Sequence, residues 1–127
     1  MPKSEDVFDN GLKIRREIFG PMVDQQVAGL TDFSRDMDDW VTRYCFGEGW
    51  SNPLLPRKVR SMLTLAMLVA LGKPNQLRVH VRGAIQNGCS TAEIAEVLKH
   101  AMIYAGVPAG VDAFMNAGAV LKEMGLD

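Results

Sequence analysis

The stretch RKVRSMLTLAMLVALGKPNQLRVHVRGAIQNGCSTAEIAEVLKHAMIYAGVPAGVDAF, residues Arg57–Phe114, decides the fold. Inside it, Met62–Leu71 is apolar except for Thr64. That run is too short for a bilayer, which needs about 20 residues. A short helix apolar on all sides is expected in the middle of a soluble core. Pro56 suits the first turn of this helix, and Gly72-Lys73-Pro74 stops it, because proline lacks an amide and collides with the preceding helical carbonyl.

The next helix carries the first chemical signal. Leu77, Val81, Ala84 and Ile85 recur at helical spacing, and His80 falls on the same stripe. Gln76 precedes His80 by one turn on the same side, while Arg78 and Arg82 point elsewhere. A buried imidazole disfavours its charged form and needs hydrogen-bond partners. Such a ring suits a general acid or base in a dry pocket, and equally an ordinary core histidine. From these residues alone the ordinary reading is the default.

Downstream, Asn87-Gly88 closes a turn, and Ser90-Thr91-Ala92-Glu93 reads as a capping box. Ile94, Val97, Leu98 and Ala101 face the core, with His100 at the edge of the stripe and Tyr104 one turn on. Gly106-Val107-Pro108 breaks that helix. A last one over Ala109–Met124 is expected to turn Val111, Phe114, Gly118 and Leu121 inward.

Upstream, Ser4–Phe19 reads as an amphipathic helix with Val7, Phe8, Leu12 and Ile18 on its core face and Ser4 as its cap. Met22–Leu30 reads as a short helix. Thr31 or Asp32 caps a stronger one in which Phe33, Met37, Trp40, Val41 and Tyr44 follow the helical template, a stripe expected to pack in the core. Gly47–Pro53 is a loop by composition, and Trp50 within it is harder to explain by packing than Trp40. Arg57, Lys58 and Arg60 crowd a helix start, where they oppose the macrodipole; an anionic ligand or a solvated face accounts for them. No stretch alternates convincingly enough for a strand, so the fold class is all-α, a single helical domain of about six helices over 1–127.

The 127 residues suit one domain, and 47% hydrophobic with 23% charged residues is a globular balance. A net charge of −1 without a basic block gives no footprint for nucleic acid or an anionic membrane. MPKSEDVFDN is polar and acidic, unlike a signal peptide, and the expected location is cytoplasmic. Cys45 and Cys89 form no CxxC, and two histidines make no convincing zinc site.

Across nearly all its length the chain resembles the carboxymuconolactone decarboxylase family. GLKIRREIFG resembles the family's opening helix with its paired arginine, and VTRYCFGEGW its aromatic and tryptophan segment. The histidine followed by Arg-Gly-Ala, the Asn-Gly turn and the Tyr-Ala-Gly-Val-Pro break match in order. The resemblance implies an all-helical, cofactor-free enzyme that assembles as a homo-oligomer, commonly a ring-like hexamer, with a trimer or dimer as the other expectations. It implies decarboxylation of 4-carboxymuconolactone, a small-molecule lactone acid, to the 3-oxoadipate enol-lactone in protocatechuate breakdown. It places His80 in the active site with Gln76 beside it. Arg57, Arg60, Trp50, Tyr104, His100, Arg15 and Arg16 are the substrate-binding candidates. No metal, nucleic acid or membrane partner is implied.

Such a reaction needs a dry pocket, a cation to orient a dianion, a donor for the developing oxyanion and a proton source. Arginine suits carboxylates because its planar fork pairs with both oxygens. The chain departs from the family pattern at Gln76, where glutamate is usual, and at Asn52 and Leu54, where arginine and glycine are usual. Glutamine can only hydrogen-bond where a carboxylate would raise histidine's basicity. Two other readings remain open. The related alkylhydroperoxidases, which give the superfamily its peroxiredoxin label, use a CxxC pair, but Lys73 and Gln76 stand at those positions here. A non-catalytic oligomer that binds an aromatic-derived acid is the other.

Overall fold

The computed structural model describes residues 4–127. Among them are seven α-helices and one π-helix, and no strand. The all-α expectation holds, with more helices than the six expected. The helices gather into two compact units, Met1–Leu55 and Pro56–Asp127. No helix among the described residues is long and apolar enough to cross a membrane.

The first unit contains α1 (Ser4–Phe19), α2 (Met22–Ala28), α3 (Asp32–Val41) and the π-helix Thr42–Trp50. The side chain of Ser4, the expected cap of α1, lies outside the described residues. Thr31 caps α3 as expected, exchanging hydrogen bonds with Ser34. Gly47–Trp50 corrects the sequence reading, because these residues belong to the π-helix rather than a loop. Gly11 and Gly47 explain why the composition misleads. A Cβ on Gly11 would run into the Thr42 carbonyl, and one on Gly47 would lie 2.6 Å from the Val7 carbonyl. The glycines serve a backbone-to-backbone crossing of α1 over the π-helix, not a turn. Ile14, Ile18, Phe46 and Trp50 form the core at that crossing, and Phe19 meets Phe46 edge-on at 5.8 Å.

The aromatic stripe that runs from α3 into the first turn of the π-helix is the second correction. Phe33 is 95% exposed, Trp40 68%, Tyr44 65% and Met37 54%, and no residue of α3 is fully buried. The helix meets its own unit through Asp38 and the half-buried Val41 instead. Periodicity reports an apolar face but not what covers it.

The second unit contains α4 (Arg57–Leu71), α5 (Pro74–Gln86), α6 (Thr91–Ala105) and α7 (Val107–Glu123). Gly72 ends α4 in the left-handed region at φ 66°, and the Ser90–Glu93 capping box opens α6. Leu65, Leu77, Val81, Ile94, Leu98 and Val120 anchor its core. α4 is not buried on all sides, contrary to the sequence expectation. It buries Ser61, Leu65 and Val69, while Val59, Leu63, Met67 and Leu71 form an outward stripe. α7 is also turned from its expected face. Gly110, Ala113, Ala117 and Val120 point inward, Phe114 and Leu121 pack from the side, and Val111 is exposed. Small residues let α7 lie close to its neighbours, so the larger side chains are displaced to the flanks.

Candidate active site

His80 sits midway along α5, half-buried, with Leu77, Val81 and Ala84 of the same helix in the core. Burial lowers its pKa to about 4, so the ring is neutral at physiological pH. A neutral imidazole has one donor nitrogen and one acceptor nitrogen. It can accept a proton, or donate a hydrogen bond to a developing oxyanion, without bringing a full charge into an apolar site.

The neighbouring charges of α5 are directed away, as the spacing predicts. Arg78 Nε donates to Asn116 Oδ1 at 2.7 Å, and Arg82 binds Glu123 Oε2 at 2.5 Å, both joining α5 to α7. Gln76 is exposed one turn before His80. Arg57 and Arg60 lie half-buried in the first turn of α4, which holds no acidic residue. Lys58, between them, is bound to Glu93 at 2.8 Å. Asn87 donates to the hydroxyl of Ser61 at 2.9 Å, pinning the end of α5 to α4. Ser61 is buried, a polar position that the apolar reading of α4 passed over.

His100 and Tyr104 pack against each other on α6 with ring centroids 5.4 Å apart and planes tilted by 53°, and both are exposed. In the first unit, Arg15 is buried and holds both oxygens of Asp38 at 3.0 Å, Thr42 Oγ1 at 3.1 Å and Gln26 Oε1 at 3.0 Å. Its guanidinium thus ties α1 to α2, α3 and the start of the π-helix. Arg16 is exposed and pairs with Asp24 at 3.0 Å. Trp50 is buried at the end of the π-helix, 6.1 Å from the Phe46 ring. The paired arginines differ in burial because they stand about 100° apart around α1.

Neither thiol has the surroundings of a nucleophile. Burial raises the pKa of Cys45. Burial and then the Glu93 carboxylate raise that of Cys89, whose Sγ points to the Lys58 carbonyl at 3.7 Å. Both stay protonated near neutrality.

Residues 35–119 match the sequence pattern of the carboxymuconolactone decarboxylase family. A 4-carboxymuconolactone decarboxylase of Acinetobacter baylyi is 38% identical over 123 residues, covering 96% of this chain and 92% of that protein. A nitrosuccinic acid decarboxylase of Metarhizium robertsii is 34% identical over 119 residues, covering 93% and 83%. Both relatives are decarboxylases; this chain is likewise a carbon–carbon lyase, and it belongs to the carboxymuconolactone decarboxylase family.

Proposed function

We propose that the protein decarboxylates a small dianionic acid whose departing carboxylate is conjugated to an electron acceptor, with 4-carboxymuconolactone as its substrate. The observation that carries this reading is a half-buried, neutral His80 in a chain so similar to two decarboxylases. The two relatives' named substrates share one chemical feature. In the lactone, the electron pair left by carbon dioxide spreads through the ring double bond onto the lactone carbonyl. In nitrosuccinic acid it spreads onto the nitro group.

For the lactone, the carbon–carboxylate bond breaks and its electron pair forms a dienolate. A proton then adds to the carbon next to the carbonyl, giving the enol-lactone and carbon dioxide. His80 donates a hydrogen bond to the developing oxyanion, worth about 3 kcal/mol of barrier. Approach of the dianion raises the pKa of His80, which readies it to move the proton. Arg57 and Arg60 orient the substrate carboxylates, and Gln76 supplies a neutral hydrogen bond where the family's glutamate would supply charge. No substrate role is given to Arg15, Arg16, His100, Tyr104 or Trp50. In this reading residues 1–127 act as one decarboxylase domain, in cytoplasmic aromatic-acid breakdown, and the chain works as a homo-oligomer.

His80→Asn tests the assignment. It should lower kcat for the lactone roughly 10²–10⁴-fold while circular dichroism stays unchanged. Normal turnover by the folded variant would make His80 a packing residue and sink the proposed site.

A further inference from the structure

The second unit buries one polar side chain, Ser61 of α4, which is 1% exposed beside an apolar core. Burying a hydroxyl is unfavourable unless it is hydrogen-bonded, and alanine at that position would avoid the cost. Thr64, three residues on, donates its hydroxyl to the Arg60 carbonyl of its own helix at 2.8 Å. Ser61 instead accepts from Asn87 Nδ2 at 2.9 Å, from a residue 26 positions away. The turn after α5 does not account for Asn87 either. Its backbone is ordinary at φ −84°, and Gly88, at φ 97°, takes the left-handed step. Neither side chain is needed by its own element. Their bond serves the pairing of α4 with α5.

We propose that Ser61 and Asn87 are positioning residues, whose hydrogen bond sets the register of α4 on α5 and so the spacing of Arg57 and Arg60 from His80. The proposal rests on the decarboxylase reading above. Only Gly72 and Lys73 join α4 to α5, and the start of α4 meets the end of α5, so the two helices run antiparallel. Arg57 and Arg60 precede Ser61 by about 6 Å and about 1.5 Å along the helix axis. His80 precedes Asn87 by about 10.5 Å and lies within about 20° of its direction around α5. The buried bond thus stands between the two arginines and the histidine, on the face of α5 that meets α4. Apolar packing is non-directional and tolerates a small slide, whereas a hydrogen bond weakens steeply once bent or stretched. A slip of one residue is about 1.5 Å, and a misplacement of about 1 Å can cost roughly 100-fold in rate. Carboxylates held by the arginines would then carry the developing oxyanion out of reach of His80.

The test is steady-state turnover of 4-carboxymuconolactone, measured beside the denaturant midpoint of each variant. Ser61→Ala nearly keeps the volume and lets the half-buried Asn87 turn to water, so its midpoint should stay near wild type. Its kcat should fall roughly 10- to 100-fold with KM within about threefold, because the arginines still bind the substrate. Asn87→Ala should do the same, and the double variant should lose no more kcat than either single change. Ser61→Thr keeps the hydroxyl but adds a buried methyl group, so it should lower the midpoint and still retain most of kcat. Activity would then part from stability, which a merely structural bond does not produce. Wild-type kcat in folded Ser61→Ala overturns the positioning role and leaves the decarboxylase reading intact. So does a loss of kcat that only tracks the midpoint across the variants. A wild-type protein that releases no carbon dioxide from the lactone overturns both.

Discussion

At the residue scale, the chemistry rests on His80 remaining neutral. Its stripe position on α5 was legible from the spacing of Leu77, Val81 and Ala84. Its depressed pKa was not, since that depends on how deeply neighbouring elements cover the ring. If the neutral imidazole is the active form, kcat/KM should hold level down to about pH 5 and fall as pH drops through about 4. A fall centred near pH 6.5, the ordinary value, would mean the ring is not desolvated in solution. Gln76→Glu should move the acid limb toward alkaline pH, because a carboxylate one turn away favours the imidazolium, and at pH values above that limb, where the ring is still neutral, its greater basicity should raise lactone turnover. Gln76 is exposed, so water will screen the shift and keep it modest. Replacing Cys45 by serine and Cys89 by alanine together should leave turnover within about twofold. Loss of activity with unchanged circular dichroism would restore a thiol mechanism. The pairing of Arg15 with Asp38 lies beyond any local reading, because its partner stands 23 residues away.

Among the elements, helix caps and stops were the most legible features, since Thr31, Gly72 and the Ser90–Glu93 box act within a few residues of themselves. The π-helix escaped because its glycines resemble a loop until α1 is laid across them. That crossing gives a sharp test. Gly11→Ala puts a methyl group into the Thr42 carbonyl, where only backbone can give way. The substitution should lower stability by about 2 kcal/mol or more, read as an earlier denaturant midpoint. Gly118→Ala, in the middle of α7 with open space around it, should be neutral or slightly stabilising. Equal effects at both positions would mean the crossing is looser than described. The outward stripes of α3 and α4 were misplaced for a different reason. An apolar face turned outward has the same hydrophobic period as one buried within its own chain.

For the whole molecule, the all-helical class followed from the absence of alternating strands and the density of helical stripes. The family followed from ordered features of different chemistry: His80 with Arg82-Gly83-Ala84, the Asn87-Gly88 turn, and the Tyr104–Pro108 break. The substrate was not legible in the same way, because Gln76, Asn52 and Leu54 depart from the residues usual in the family pattern. The central claim is decarboxylation driven by a conjugated acceptor. Its most direct test is carbon dioxide release by the purified protein from 4-carboxymuconolactone, nitrosuccinic acid and plain succinic acid, side by side. Release from the lactone well above the uncatalysed rate, a weaker response to nitrosuccinic acid and none to succinic acid are expected. No release from either acceptor-bearing acid at any pH between about 5 and 8 would contradict the claim.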